Sequence, residues 1–378
     1  MTRHGVGGVA LALALVTSAF GQASAVRAAN LIHIGAVADV TGAQSVYGVS
    51  IRDGLNLALA EINAAGGVSG NKIDLLLNDA ASSKTQVINL YQQLINQQHV
   101  LAIIGPTLSS EAKVADPIAQ AAGVPVLATS NTASGITAIG PYIFRDSLTE
   151  AAIIPLTVKS AKQRLGLHRV AIIYGNDDIL TKGERSLFVT ALAENGIAVT
   201  DVETFQKGDV DFSAQLTKIK GTKPDAIVAC ALAQEAASIM IAARRLGLPT
   251  SVRFIGGNGF NSPTLAKIAG KDAEGAISGA AWFSGSKRAR NVAFVAAFAK
   301  RYGHAPDQFA AQAYDGLFIL AQAIKNAHTI TDRAAVRAAL AAVKHYPGVT
   351  GDFSFTPTRD ALVQGSILVV KGGAFQLF

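Results

Sequence analysis

From Leu31 onward, short apolar runs alternate with stretches in which apolar residues recur every three or four positions. The runs at 31–37, 73–77, 100–104, 124–128, 170–174, 197–205, 225–230 and 253–256 are bounded by Gly, Pro, Asn or Asp, as strands are. Between them, Ile51, Leu55, Leu59 and Ile62 keep helical spacing and stop at Gly66-Gly67. Val87, Leu90, Tyr91, Leu94 and Ile95 mark a second helix, and Leu187, Ala191 and Glu194 before Gly196 mark another. Strands this apolar are buried on both faces, so the alternation predicts parallel sheets covered by helices. About nine such units exceed one compact sheet. The expected fold is therefore α/β, with two doubly wound lobes.

The pattern pauses at Pro141-Tyr142-Ile143-Phe144-Arg145-Asp146 and resumes with Ile153. A second irregular stretch covers 283–291. With a third passage near the end, these form a three-segment hinge. The lobes expected are 30–148 with 282–355, and 149–281 with 356–378.

The amino terminus reads differently. Arg3 and His4 precede an apolar run of about a dozen residues at 9–20, and Ala23-Ser24-Ala25 follows. That is the order of a cleavable secretory signal over residues 1–25. As a membrane anchor the run is short of the ~20 residues a bilayer requires. Export to a bacterial periplasm is expected, with a free amino end near Val26, since no cysteine follows the signal to carry a lipid.

Composition then narrows the chemistry. The single cysteine, Cys230, sits in an apolar run and cannot form an internal disulfide, so packing must hold the fold. The net charge of +7 is scattered, with one tight cluster at Lys287-Arg288-Ala289-Arg290. It lacks the stacking aromatics or motif of a nucleic-acid binder. The seven histidines show no metal-ligand spacing. The phosphate loop and the G-x-S-x-G elbow are both missing. Neither a metal nor a cofactor is expected.

What remains is a pair of polar loops at strand ends, where open α/β sheets bind ligands. Gly105-Pro106-Thr107-Leu108-Ser109-Ser110-Glu111 follows one strand, and Thr129-Ser130-Asn131-Thr132 follows the next. Each opens a helix, so hydroxyls and backbone N–H groups converge with the positive end of a helix dipole. Such loops suit a carboxylate; ordinary N-capping would select the same residue types.

Further segments carry a resemblance. Asp39-Val40-Thr41-Gly42-Ala43-Gln44-Ser45-Val46-Tyr47-Gly48, Glu61-Ile62-Asn63-Ala64-Ala65-Gly66-Gly67-Val68, Ile103-Ile104-Gly105-Pro106, Gly123-Val124-Pro125 and Phe309-Ala310-Ala311-Gln312-Ala313-Tyr314-Asp315 follow one family's order and spacing. The chain resembles the type I periplasmic solute-binding proteins of the branched-chain (Leu/Ile/Val) amino-acid transport group. The resemblance implies two lobes that close on a small molecule and deliver it to the permease of an ATP-driven (ABC) importer, the binding protein being a monomer and no enzyme. By position, Ser109, Ser130 and Thr132 would hold the ligand carboxylate and Tyr47 would lie against the ligand. Tyr47 also reads as a core aromatic.

The second lobe departs from the pattern. Amino-acid binders of this group place an acid at the position of Asn258, and aromatics at those of Leu180 and Leu232. An ammonium buried without its carboxylate is costly. Asp178 or Glu235 could replace the acid; otherwise the ligand is an aliphatic or aromatic acid rather than an amino acid. A ligand-sensing module of the same fold and an α/β enzyme are the competing readings, the latter lacking a recognisable nucleophile–base pair.

Overall fold

The computed structural model describes residues 31–378 together with 1, 2, 4 and 5. The expected signal peptide and its cleavage site lie outside the described residues.

The first sheet is built from β1 (Leu31–Ala38), β2 (Lys72–Asp79), β3 (Ala102–Ile104), β4 (Val126–Ala128) and β5 (Ile143–Arg145). All five are parallel, in the order β2-β1-β3-β4-β5. The connecting helices are α1 (Ser45–Ala64), α2 (Lys84–Asn96) and α3 (Ser109–Ala121). Ile32, Ile34, Ala36 and Ala38 of β1 are sealed in the core, as a central strand with helices on both faces requires.

β5 corrects the sequence reading, which took 141–146 as a pause between lobes. Three residues are too few to show a period, but Phe144 is fully buried and the strand closes the sheet edge. The passage to the second lobe comes directly after it.

The second sheet begins with α4 (Glu150–Leu165) and β6 (Arg169–Gly175). It continues through α5 (Ile179–Glu194), β7 (Ala198–Phe205), α6 (Ser213–Gly221), β8 (Ala226–Cys230), α7 (Ala233–Arg245), β9 (Arg253–Gly256), α8 (Pro263–Ala269) and β10 (Ile277–Ala280). Cys230 is fully buried in β8.

The chain then returns to the first lobe as α9 (Ala289–Tyr302), α10 (Gln308–Ala327) and α11 (Arg333–Ala341). α10 presses on α1 so closely that a Cβ on Gly54 would lie 2.2 Å from Ala310 O. Only glycine permits that approach. A small sheet of β11 (Tyr346–Pro347), β12 (Asp352–Phe355) and β13 (Ala361–Leu362) stays beside β5, where Phe355 meets Phe144 edge-on and Asp360 pairs with Arg145 at 2.6 Å. The third passage therefore follows Leu362, a few residues beyond the expected division at 355/356. β14 (Ser366–Lys371) and β15 (Ala374–Leu377) add an antiparallel edge, giving the order β15-β14-β10-β9-β8-β6-β7.

Candidate ligand-binding cleft

The carboxyl ends of the parallel strands in the two sheets face each other across the hinge. There Tyr47, Ser109, Ser130, Thr132, Leu180, Leu232 and Asn258 line a single cavity of about 30 Å³, together with Thr107, Leu108, Gly259 and Phe309. The structure thus brings the seven residues expected at the ligand to one place, but not Asp178 or Glu235. A larger hollow of about 730 Å³ around His168 and Pro224 opens at the amino ends of strands, where such sheets do not bind ligands.

The two polar loops are wired together. Asn131 Nδ2 donates to Pro106 O and Thr107 O at 3.0 Å each, and Ser130 Oγ donates to Thr107 O at 2.7 Å. Arg145, at the end of β5, and Ser147, on the first passage, hold the second loop from behind through Asn131 O and Ala133 O. Ser109 Oγ accepts from Ala133 N at 3.3 Å and keeps its own proton free. Thr132 Oγ1 spends its proton on Glu150 Oε1 at 2.9 Å, across the lobe boundary.

Tyr47 spans the cleft. Its hydroxyl accepts from Ala233 N at 2.8 Å and donates to Gly259 O at 2.9 Å, while its ring meets Phe309 edge-on. Burial pushes the phenol well above its usual range, so it stays neutral and can donate. With these bonds made, the lobes are shut. A space of about 30 Å³ holds roughly two water molecules.

Asn258 sits at the cavity, but its Nδ2 turns to Leu148 O at 3.1 Å and its own N–H meets Glu150. Gln308 ties the same loop to the first lobe, donating to Asn258 O and accepting from Asn261 Nδ2. The substitutes weighed for the missing acid do not line the cavity. Asp178 caps α5 through Leu180 N, and Glu235 is in the first turn of α7.

An acid bonded to two lining residues, Thr132 and Asn258, is one the sequence reading passed over. Glu150 opens α4, where it reads as an ordinary dipole-favoured residue. Its carboxyl faces that of Glu184 over Gly257, whose Cβ, were it present, would lie 2.1 Å from Glu184 Oε1 and 2.8 Å from Glu150 Oε2. Burial raises the affinity of both for a proton, and neither oxygen of Glu184 meets a donor from another residue type. Each carboxyl therefore favours its protonated form, and the two titrate as a pair. A second buried pair, Asp39 and Glu111, lies under the first loop, with the Lys207 cation acting on it from the second lobe. Among the described residues, no group of acids, histidines or cysteines could hold a metal, and no helix is long and apolar enough to cross a membrane.

The periplasmic binding protein family model matches residues 31–373. The chain belongs to this family. Its members bind solutes and are not enzymes, which removes the enzyme alternative. A Leu/Ile/Val-binding protein of Rhizobium johnstonii is 28% identical over 338 residues, covering 88% of this chain and 89% of its own length. The crystal structure of a branched-chain amino-acid transporter substrate-binding protein of Streptococcus pneumoniae, in complex with isoleucine, has a TM-score of 0.85 at 29% identity. That match covers 92% of this chain and 98% of the other. A solute-binding protein of an ABC transporter from Rhodopseudomonas palustris, in complex with 3,4-dihydroxybenzoic acid, has a TM-score of 0.83 at 26% identity, covering 90% and 93%.

Proposed function

We propose that this periplasmic binding protein captures a small carboxylate with an apolar body and presents it, as a periplasmic monomer, to the permease of an ABC importer. The observation that carries this reading is the meeting of Ser109, Ser130 and Thr132 from one lobe with Leu180 and Leu232 from the other. One wall offers hydroxyls and no fixed cation, with Ser109 at the start of α3, which suits a carboxylate; the second loop, expected to open a helix, runs instead through a short turn at Thr137–Ile139 into β5. The other offers aliphatic surface, which suits a hydrocarbon chain or ring. Relatives carrying isoleucine and a hydroxylated benzoic acid share both features of such a ligand. The uncharged Asn258 favours an aliphatic or aromatic acid over a branched-chain amino acid.

Capture requires motion. The closed cavity is too small for a molecule of that size, so the bonds of Tyr47 to Ala233 and Gly259 break to admit it. The three passages between sheets form the hinge, with lobes of 30–148 plus 282–355 and 149–281 plus 356–378, adjusted at the last passage.

A thermal-shift screen of amino acids against aliphatic and aromatic acids tests the proposal. A ligand stabilises by RT ln(1 + [L]/Kd), so a true ligand at a hundred times its Kd adds about 2.7 kcal/mol. Carboxylic acids are expected to raise Tm, and their neutral isosteres to leave it unchanged. A screen in which only sugars or cations raise Tm contradicts the reading.

A further inference from the structure

Beside the second passage, a hollow of about 220 Å³ is walled by both lobes. The second lobe contributes Ala266 of α8 and Phe375 of β15, and the first contributes Pro306 and Gln308 where α10 begins. The passage itself contributes Trp282 and Phe283. Local chemistry sets these walls in advance. Gly372 and Gly373 both take positive φ, as a two-residue hairpin turn needs, and fold β15 back so that Phe375 reaches the hollow. Trp282 is held by a 2.6 Å bond from its Nε1 to Asn291 Oδ1 and by an edge-on contact with Phe294. Asn291 Nδ2 in turn donates to Ser284 O and Ser286 O, which fixes the passage.

The lining is mostly apolar, and the space exceeds the ~150 Å³ that accepts a benzene ring in a dry apolar cavity. Among the described residues no Lys, Arg or His lines it, so a carboxylate has no cation to meet. Its acid, Asp307, is already engaged at the positive end of α10: Oδ1 accepts from Ala310 N at 3.0 Å and Oδ2 from Ser50 Oγ at 2.8 Å. An uncharged ring suits such walls. Two buried amides supply a polar end. Gln308 Oε1 accepts from Asn261 Nδ2 and Ala281 N, and its Nε2 donates to Asn258 O. Among the described residues the second hydrogen of that Nε2 and the lone pairs of Asn261 Oδ1 are unused, and a hydroxyl can meet either.

The hollow also touches the cleft. Gln308 lines the hollow while its neighbour Phe309 lines the cleft, and Gln308 holds the cleft residue Asn258 at 3.1 Å. Because its walls come from both lobes, the hollow has this shape when the lobes are shut.

We propose that the hollow is a second binding site, for an uncharged single-ring molecule bearing a hydroxyl, and that its occupation favours closure of the cleft. The site itself goes beyond the carboxylate reading; only the coupling rests on it. A molecule that fits the shut state in one place raises affinity in the other, and the effect is reciprocal.

Trp282 is the chain's single tryptophan, so its fluorescence reports the hollow directly. The test titrates benzyl alcohol into the purified protein. A saturable change is expected, with a Kd of about 1 mM or tighter. Ala266→Leu fills the hollow and should weaken the titration at least about ten-fold. Phe375→Ala removes a ring from the terminal hairpin and should weaken it at least about three-fold. Calorimetry then reads the coupling: saturating benzyl alcohol should tighten the best acid of the thermal-shift screen about five-fold or more, and that acid should tighten benzyl alcohol by the same factor. No saturable change overturns the site. So does an unchanged Kd in Ala266→Leu, or in Phe375→Ala where the first variant does not fold. A normal titration with no effect on acid affinity overturns the coupling. If no acid binds while benzyl alcohol still titrates, the carboxylate reading falls and the site stands.

Discussion

The two walls of the cleft reach the same cavity by opposite means. The first-lobe wall is made of short loops whose polar atoms are bonded to one another: Asn131 to Pro106 and Thr107, Ser130 to Thr107, Ser109 to Ala133. It is rigid before any ligand arrives. The second-lobe wall is aliphatic at Leu180 and Leu232, and its polar residue, Asn258, is engaged with Leu148 and Glu150 instead. Behind each wall lies a buried carboxyl pair. That of the first lobe has Lys207 acting on it from across the cleft; that of the second is packed against Gly257. The difference teaches that, on the carboxylate proposal, the first wall is the one that orients the ligand and the second the one that supplies apolar cover.

The sharpest way to break this comparison is at Gly257. An added methyl would lie 2.1 Å from Glu184 Oε1 and force the carboxyls apart. Gly257→Ala is expected to cost about 2–4 kcal/mol of folding stability, the range for overpacking beside a buried polar network. Chemical denaturation would show it as a lower midpoint. An unchanged midpoint would mean that the pair is free to move.

On the opposite wall the effect should fall chiefly on binding. Ser109→Ala removes a cavity hydroxyl whose proton is uncommitted, and affinity for the carboxylate ligand should drop by about 1–3 kcal/mol. Unchanged affinity in calorimetry would return Ser109 to a capping role at the start of α3.

The third effect, smallest per unit step, concerns pH. Burial and the neighbouring Asp39 push Glu111 from 4.5 up to about 8, opposed by the hydrogen bond from Leu108 N and by the Lys207 cation. An acid whose folded-state pKa is raised binds more protons folded than unfolded. Its contribution is complete below about 4.5 and is lost as pH rises toward 8. Stability should fall by up to about 1.4 kcal/mol per pH unit in that window; carboxylates such as Asp79 and Asp225, whose pKa values are lowered, act only below it. Glu111→Gln should flatten the slope. A slope identical in the variant would assign the proton elsewhere.

Much of this was legible before the fold was seen. Long apolar strands such as β1 and β8 announce themselves through composition, and the polar loops at 105–111 and 129–132 announce themselves through their hydroxyls, although only the first opens an α-helix as expected. The same two loops could be placed on neighbouring strands, which made a shared site an inference rather than a guess. Three things were hidden. β5 and β10 have three and four residues, too few to display a period. The direction of a hydroxyl proton depends on partners far away in sequence, as Thr132 depends on Glu150. Tyr47 reads as an apolar ring, and its role as a bridge to Gly259 and Ala233 exists only when the lobes meet. Asp178 and Glu235 were visible as acids near the second wall, yet helix geometry places them at a cap and a first turn, outside the cavity lining.

The central claim is that the first wall reads a carboxylate. Its most direct test is a calorimetric comparison of the best acid from the thermal-shift screen with the primary amide of that acid. The amide keeps size and apolar body but loses the charge. The account predicts that the amide binds more weakly by about 2–3 kcal/mol, roughly 30- to 150-fold. Equal affinity for acid and amide would contradict it.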